Sequence, residues 1–215
     1  MLEDISGEKI KEQFKSNSKL RMTTMIVGGL VLIVLGYFAY RQLFWVPSNE
    51  QSKDSYWPAL NLAVADSTDA AIDELGVQAN KFDGKIGGEV AQFVYARQLM
   101  KVGDFAAAIT ELEAVDVNDT YVAVMAKGLI GDCYSEQENY TTAAESYLAA
   151  SDIIDNELTT PMYLMKAALC AEQVQDFTTA VECYNKIKDN YPGFAATKQI
   201  DKYLARVSSK ENAGG

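Results

Sequence analysis

Two patterns of apolar and polar positions divide the chain. From Met22 to Tyr40, MTTMIVGGLVLIVLGYFAY, 19 residues pass without a charge between Arg21 and Arg41. Apolar character continues through Leu43, Phe44, Trp45 and Val46, and Pro47 is expected to end it. A stretch of this length crosses the hydrocarbon core of a bilayer as one helix. The aromatics Tyr37, Phe38, Tyr40, Phe44 and Trp45 gather at one end, as rings do at headgroup depth. A cleaved signal would have a shorter apolar core and a small-x-small site after it. Here Arg-Gln-Leu-Phe-Trp follows, so residues 22–46 are read as a retained transmembrane helix behind a tail of residues 1–21.

Further along, the apolar residues follow a helical period and the pattern itself repeats. GDFAAAITELEAV at 103–115, ENYTTAAESYLAA at 138–150 and QDFTTAVECYNKI at 175–187 share one layout. Aligning Phe105, Tyr140 and Phe177 gives steps of 35 and 37 residues. The alignment superposes Ala108, Ala143 and Ala180, then Leu112, Tyr147 and Tyr184. Steps of three and four residues return to one helix face. Before each aromatic lies another helix with a small residue at its centre, Ala96, Gly131 or Ala168, where a paired helix can approach closely. Asp104, Asn139 and Asp176 are placed to cap the second helices.

A helix hairpin of this kind cannot bury its apolar face alone, and a stack of hairpins can. The expected fold is all-α: a transmembrane helix, then a solenoid of helical hairpins with a C-terminal cap helix. Residues 47–88 are read as a linker and a degenerate hairpin, with helices near Ser55–Ala65 and Thr68–Asn80, broken at Asp83-Gly84 and Gly87-Gly88. Three repeats fill 89–193. Residues 194–215 form the cap, with Phe194, Ile200, Tyr203, Leu204 and Val207 as its stripe and a frayed tail.

Charge orients the chain. Lys9, Lys11, Lys15, Lys19 and Arg21 precede the apolar run, whereas only Arg41 and Lys53 occur in the 15 residues after it. This places the N-terminus in the cytoplasm and exports the rest. Six of the 19 basic and four of the 30 acidic residues precede residue 42, which leaves 13 against 26 and a net −13 on the exported part. Such a surface repels nucleic acid. The opening residues Leu2, Ile5, Ile10 and Phe14 form an imperfect stripe interrupted by Gly7 and are read as a solvated tail. Asn118-Asp-Thr120 and Asn139-Tyr-Thr141 match the glycosylation acceptor pattern only at chance level.

Chemistry is sparse. The sequence has no histidine, and Cys133, Cys170 and Cys183 lack paired metal or redox spacing. No serine or cysteine has a base to activate it, so neither an enzyme nor a cofactor is expected. The cysteines are read as buried thiols, with a Cys170–Cys183 bridge as the lesser alternative.

Binding is the remaining class. One face of each first helix should line the inner surface of the stack, carrying Phe93, Arg97, Met100 and Lys101, then Met125, Asp132 and Glu136, then Met162, Met165 and Glu172. Methionines make an adaptable apolar surface for a polypeptide, or belong in part to the core. Gly28, Gly29 and Gly36 mark a face of the membrane helix where another helix could dock.

The hairpins resemble the tetratricopeptide repeat over residues 89–194. The likeness rests on Gly131, Tyr134, Ala143, Tyr147 and Ala150 in the middle unit and on Ala168, Ala180, Tyr184 and Pro192 in the last. Ala96, Leu99, Ala108 and Leu112 match by type in the first. Phe93 and Gly128 stand where a carboxylate clamp of that family would place polar groups, which disfavours such a clamp. A basic N-terminus, one membrane helix and an acidic exported repeat region together resemble the YfgM-type ancillary subunits of the bacterial SecYEG translocon, in a form similar to single-pass repeat proteins of Bacteroidota. That resemblance implies an inner-membrane, periplasm-facing subunit. Its partners would be SecYEG translocon subunits, a periplasmic prolyl-isomerase-like chaperone, exported polypeptides and the lipid bilayer. The rival expectation is a structural scaffold in an envelope secretion, motility or outer-membrane assembly complex. Outer-membrane scaffolds are usually lipoproteins, and no cysteine occurs before Cys133 to take a lipid.

Overall fold

The structure, a computed structural model, describes residues 12, 14–117 and 119–214, with side chains up to Lys210. Leu2, Ile5, Ile10, Lys9, Lys11 and Asn118 lie outside the described residues. Every regular element among the described residues is a helix. The chain divides into two compact units, residues 1–50 and 51–215.

In the first unit, Asn17 starts helix α1 (Ser18–Tyr40) by accepting from the backbone N–H groups of Lys19 and Leu20, both at 3.1 Å. With 23 residues, α1 is about 34 Å long, enough to cross the hydrocarbon of a bilayer. None of its residues is buried, so its leucines, isoleucines and valines face outward on every side. Such a surface is stable in lipid and unstable in water. Gly28, Gly29 and Gly36 have no atom within 4 Å of an added Cβ, so their face is open.

Pro47 does not end the helix as expected. Residues Arg41–Trp45 form a π-helical turn, and Val46 donates back to the Arg41 carbonyl, so the proline enters α2 (Val46–Ser55) without breaking it. The widened turn moves the preceding carbonyls clear of the pyrrolidine ring.

The second unit continues with α3 (Trp57–Val64), α4 (Thr68–Lys81), α5 (Ile86–Lys101), α6 (Phe105–Ala114), α7 (Thr120–Glu136), α8 (Tyr140–Ile153), α9 (Thr159–Gln173), α10 (Phe177–Asn190), α11 (Pro192–Lys198) and α12 (Ile200–Gly214). Each of α3 to α10 packs chiefly on its chain neighbours, and α10 also packs on α12.

One turn closes the pairs α3/α4, α5/α6, α7/α8 and α9/α10. A residue in the left-handed region follows the first helix in each: Asp66 (φ 60°), Gly103 (φ 83°), Glu138 (φ 58°) and Gln175 (φ 61°). Its N–H donates to the carbonyl three residues back, and the next N–H donates to the carbonyl five back. The bonds are Gly103 to Met100 and Asp104 to Leu99, Glu138 to Ser135 and Asn139 to Tyr134, Gln175 to Glu172 and Asp176 to Ala171, with the same pair at Asp66 and Ser67. This pattern satisfies carbonyls that a helix end would leave orphaned. The following residue then caps the second helix. Asp104, Asn139 and Asp176 accept from the N–H groups of Ala107, Thr142 and Thr179 at 3.1, 3.4 and 3.1 Å.

The small residues sit where the paired helices meet. Ala96, Ala108, Ala143, Ala168 and Ala180 have no solvent exposure. A Cβ on Gly131 would lie 2.6 Å from the Tyr147 ring, and one on Gly128 would lie 2.2 Å from the Tyr163 ring. The two rings stack on each other, 6.2 Å between centroids, so α7 serves as a floor for both. Gly87 and Gly88, expected to break the chain, instead lie in the first turn of α5. A Cβ there would strike the carbonyls of Ser52 and Phe82, so close backbone approach is what these positions require. Buried Glu89 pins two connections by accepting from Gly84 N–H at 3.2 Å and Asp116 N–H at 2.7 Å.

The cap is not one helix. Gln199, left-handed at φ 56°, separates α11 from α12, and α12 then seats Ile200 and Val207 in the core against α10. The tail expected to fray continues α12 to Gly214.

Two expectations test this packing by urea unfolding of the fragment 51–215 and of the full chain. Gln175→Gly removes a left-handed side-chain penalty and raises stability by about 1 kcal/mol. Gly131→Ala forces a methyl against the Tyr147 ring and lowers stability by about 2 kcal/mol, although alanine is the better helix former.

Candidate functional site

The expected inner-face residues fall in different surroundings. Near the end of α5, Arg97, Gln98, Met100 and Lys101 together with Leu129 of α7 line a cavity of about 300 Å³. A larger one of about 500 Å³ lies beside it, lined by Met100, Phe105, Asp132, Ser135, Glu136, Tyr147 and Lys166. Met100 is common to both. The structure thus brings Arg97, Met100 and Lys101 together, and Met100 with Asp132 and Glu136.

The other expected residues are placed elsewhere. Phe93 packs on the core formed by α5, α6 and α7. Met162 and Met165 are half-buried against the core that runs from α7 to α12. Met125 stands 40% exposed and lines neither cavity. Glu172 is drawn inward, with its side chain only 8% exposed. It accepts from the Tyr184 hydroxyl at 2.8 Å and from Arg206 through Nη2 at 2.6 Å and Nε at 3.2 Å. A paired guanidinium fork of this kind is among the stronger polar contacts in proteins.

Asp132 belongs to a parallel arrangement. The Tyr147 hydroxyl donates to its Oδ1 at 2.5 Å, and Lys166 Nζ donates to the same oxygen at 2.6 Å. Lys166 also stands 5.3 Å from the Tyr147 ring centroid and 6.0 Å from that of Tyr163. Burial, then the bond to Asp132, holds the Tyr147 phenol well above its ordinary pKa, as burial and the Glu172 bond do for Tyr184. These phenols remain donors throughout the physiological range.

The partners in these contacts recur at a near-constant separation. Lys166–Asp132, Arg206–Glu172 and Lys186–Asp152 are each 34 residues apart, and Lys101–Asp66 are 35 apart. In three of the four a basic residue meets an acid of the preceding hairpin, and Arg206 reaches back from α12. This is the signal that could have found Lys166, which sequence reading left out of the site; Tyr147, 15 residues from Asp132, carries no such signal. Gln98 was also missed. It is 5% exposed, lines the smaller cavity, and its buried Oε1 has no hydrogen-bond partner.

Cys133, Cys170 and Cys183 are free and buried, and burial is the main cause that raises each thiol pKa. Cys133 and Cys183 are pushed up to about 11. Among the described residues no group of three or more cysteines and carboxylates stands close enough to hold a metal ion. No family model matches the chain, and a search of curated proteins likewise finds no match.

The thiols give a pH test. Their folded-state pKa lies above the unfolded value, so the associated stability is complete below about pH 8.5 and is lost as pH rises towards 11. The urea midpoint followed by circular dichroism stays level from pH 7 to about 8.5 and then falls. A thiol reagent at pH 8 labels the cysteines only after urea is added; prompt labelling of the native chain contradicts their burial.

Proposed function

We propose that the chain is a membrane-anchored, non-enzymatic subunit of tetratricopeptide type. In this reading α1 spans the bacterial inner membrane with the basic N-terminus in the cytoplasm. The repeat unit faces the periplasm, where it binds polypeptide beside the SecYEG translocon and recruits a prolyl-isomerase-like chaperone to emerging chains.

The observation that carries the repeat assignment is the recurrence of one left-handed turn at residues 66, 103, 138 and 175, steps of 37, 35 and 37. The cross-hairpin ion pairs at separations of 34 and 35 support it independently, because only a stack of equivalent units sets such a period. Binding rather than catalysis is supported by the lining of the larger cavity. Its tyrosine and lysine are committed to Asp132, and no nucleophile–base pair is among its residues. Apolar Met100 and Phe105 beside the exposed Glu136 suit a polypeptide with mixed side chains. Position relative to the channel is supported by the resemblance and by the flanking charge.

Affinity purification of the tagged full chain in mild detergent should recover translocon subunits and a membrane-anchored chaperone. Recovery of outer-membrane or cytosolic proteins alone would sink the assignment. In the same preparation Met100→Glu should retain the translocon subunits and lose crosslinks to newly exported chains. Unchanged crosslinking would move client binding away from the α5 and α7 cavities.

A further inference from the structure

The smaller cavity holds an unusual combination of groups. Arg97 is exposed and forms no ion pair among the described residues, while Lys101 forms a single contact with Asp66, 3.2 Å long and open to solvent on both sides. Exposed pairs of this kind contribute little and exchange readily. Gln98 of the same helix lines the cavity with them, nine-tenths buried and without a partner for Oε1. A buried amide left unpaired costs stability, and leucine at this position would avoid that cost. Met100 and Leu129 complete the wall with apolar surface.

These features complement one another around a single kind of ligand. A carboxamide offers one acceptor and two donors, and its terminal torsion is soft, so it can pair with the N–H or the C=O of an extended main chain. The two cations that line the same cavity favour an acid next to that main-chain unit. Because the exported part carries a net −13, a local cationic pocket is where an acidic ligand finds attraction against a repelling surface.

We propose that the cavity lined by Arg97, Gln98 and Lys101 is a subsite for the aspartate or glutamate side chain of an extended polypeptide, with Gln98 pairing the adjacent main chain and Met100 and Leu129 taking a neighbouring apolar residue. The subsite rests on the polypeptide-binding reading and gives it a side-chain preference.

The test is fluorescence anisotropy on the full-length chain in detergent micelles, with four short labelled peptides, the first three amidated at the C-terminus. One peptide carries an internal Asp beside Leu, a second has Asn in place of Asp, a third has Lys, and a fourth has no internal acid and a free terminal carboxylate. The Asp peptide binds tightest, and Arg97→Gln weakens it by about tenfold, the loss of one charge-assisted contact, while leaving the Asn peptide unchanged. Gln98→Leu weakens every peptide with a main chain to pair and also raises the urea midpoint, a combination that a purely structural residue would not give. Equal binding of the Asp and Asn peptides, preference for Lys or for the free terminus, or indifference to Arg97→Gln overturns the acidic subsite and leaves the polypeptide-binding reading standing. Failure of every peptide to bind overturns both.

Discussion

The constraint on which the second unit depends is the backbone turn between paired helices. Two hydrogen bonds, to the carbonyls three and five residues back, end one helix and reverse the chain within a few residues. So short a connection holds the partners closely antiparallel, which is why alanine or glycine must occupy the crossing points. It also leaves each pair with an uncovered apolar side. That side is buried only when the next pair arrives, so close packing within a hairpin and stacking between hairpins follow from the same bonds.

Packing and cross-helix pairing then occupy part of the surface on which binding is proposed. In α7, α8 and α9 the chain has used that surface itself. Tyr147 and Tyr163 fill the space above Gly131 and Gly128, and Lys166 sits over both rings while it neutralises Asp132. Arg206 of α12 does the same for Glu172, so the final helix stands in electrostatically for a further hairpin. The first repeat has Leu112 where the others have tyrosine, and a leucine cannot draw an acid inward. Here α5 keeps an exposed arginine and an unpaired amide beside the smaller cavity, while the larger one lies against Tyr147 and Lys166 and a third, of about 480 Å³, lies at α10 to α12.

Much of the fold was legible because its causes are local. Asp104, Asn139 and Asp176 announce helix starts through short-range hydrogen bonds, and the alanine and tyrosine spacing announces faces. The long apolar helix α1 was legible from length and lack of charge. Other features depended on distant atoms or on backbone shape that residue type does not encode. Glu138, Gln175 and Gln199 adopt left-handed conformations without being glycine, held there by the bonds on either side. Pro47 passes within a helix because a π-helical turn precedes it, and Gly87-Gly88 reads as a break until Ser52 and Phe82 are seen against it. Among the expected inner-face residues, Met100, Asp132 and Glu136 meet at one cavity, but Glu172 could not be known to be occupied until Arg206 came into place. Gln98 was passed over because a lone glutamine on an amphipathic helix usually points to water.

The near-constant separation between cross-hairpin partners has a consequence for how the molecule can change length. Each block from one turn to the next carries its own reversal and its own small-residue seat, but the ion pairs are shared out unevenly. Between residues 138 and 175, Lys166 reaches back to Asp132 while Asp152 and Glu172 receive Lys186 and Arg206 from later helices, whereas residues 103–138 supply only Asp132. A duplicated block would keep its turn and its close packing, while the polar contacts at the new junction would depend on which block was copied.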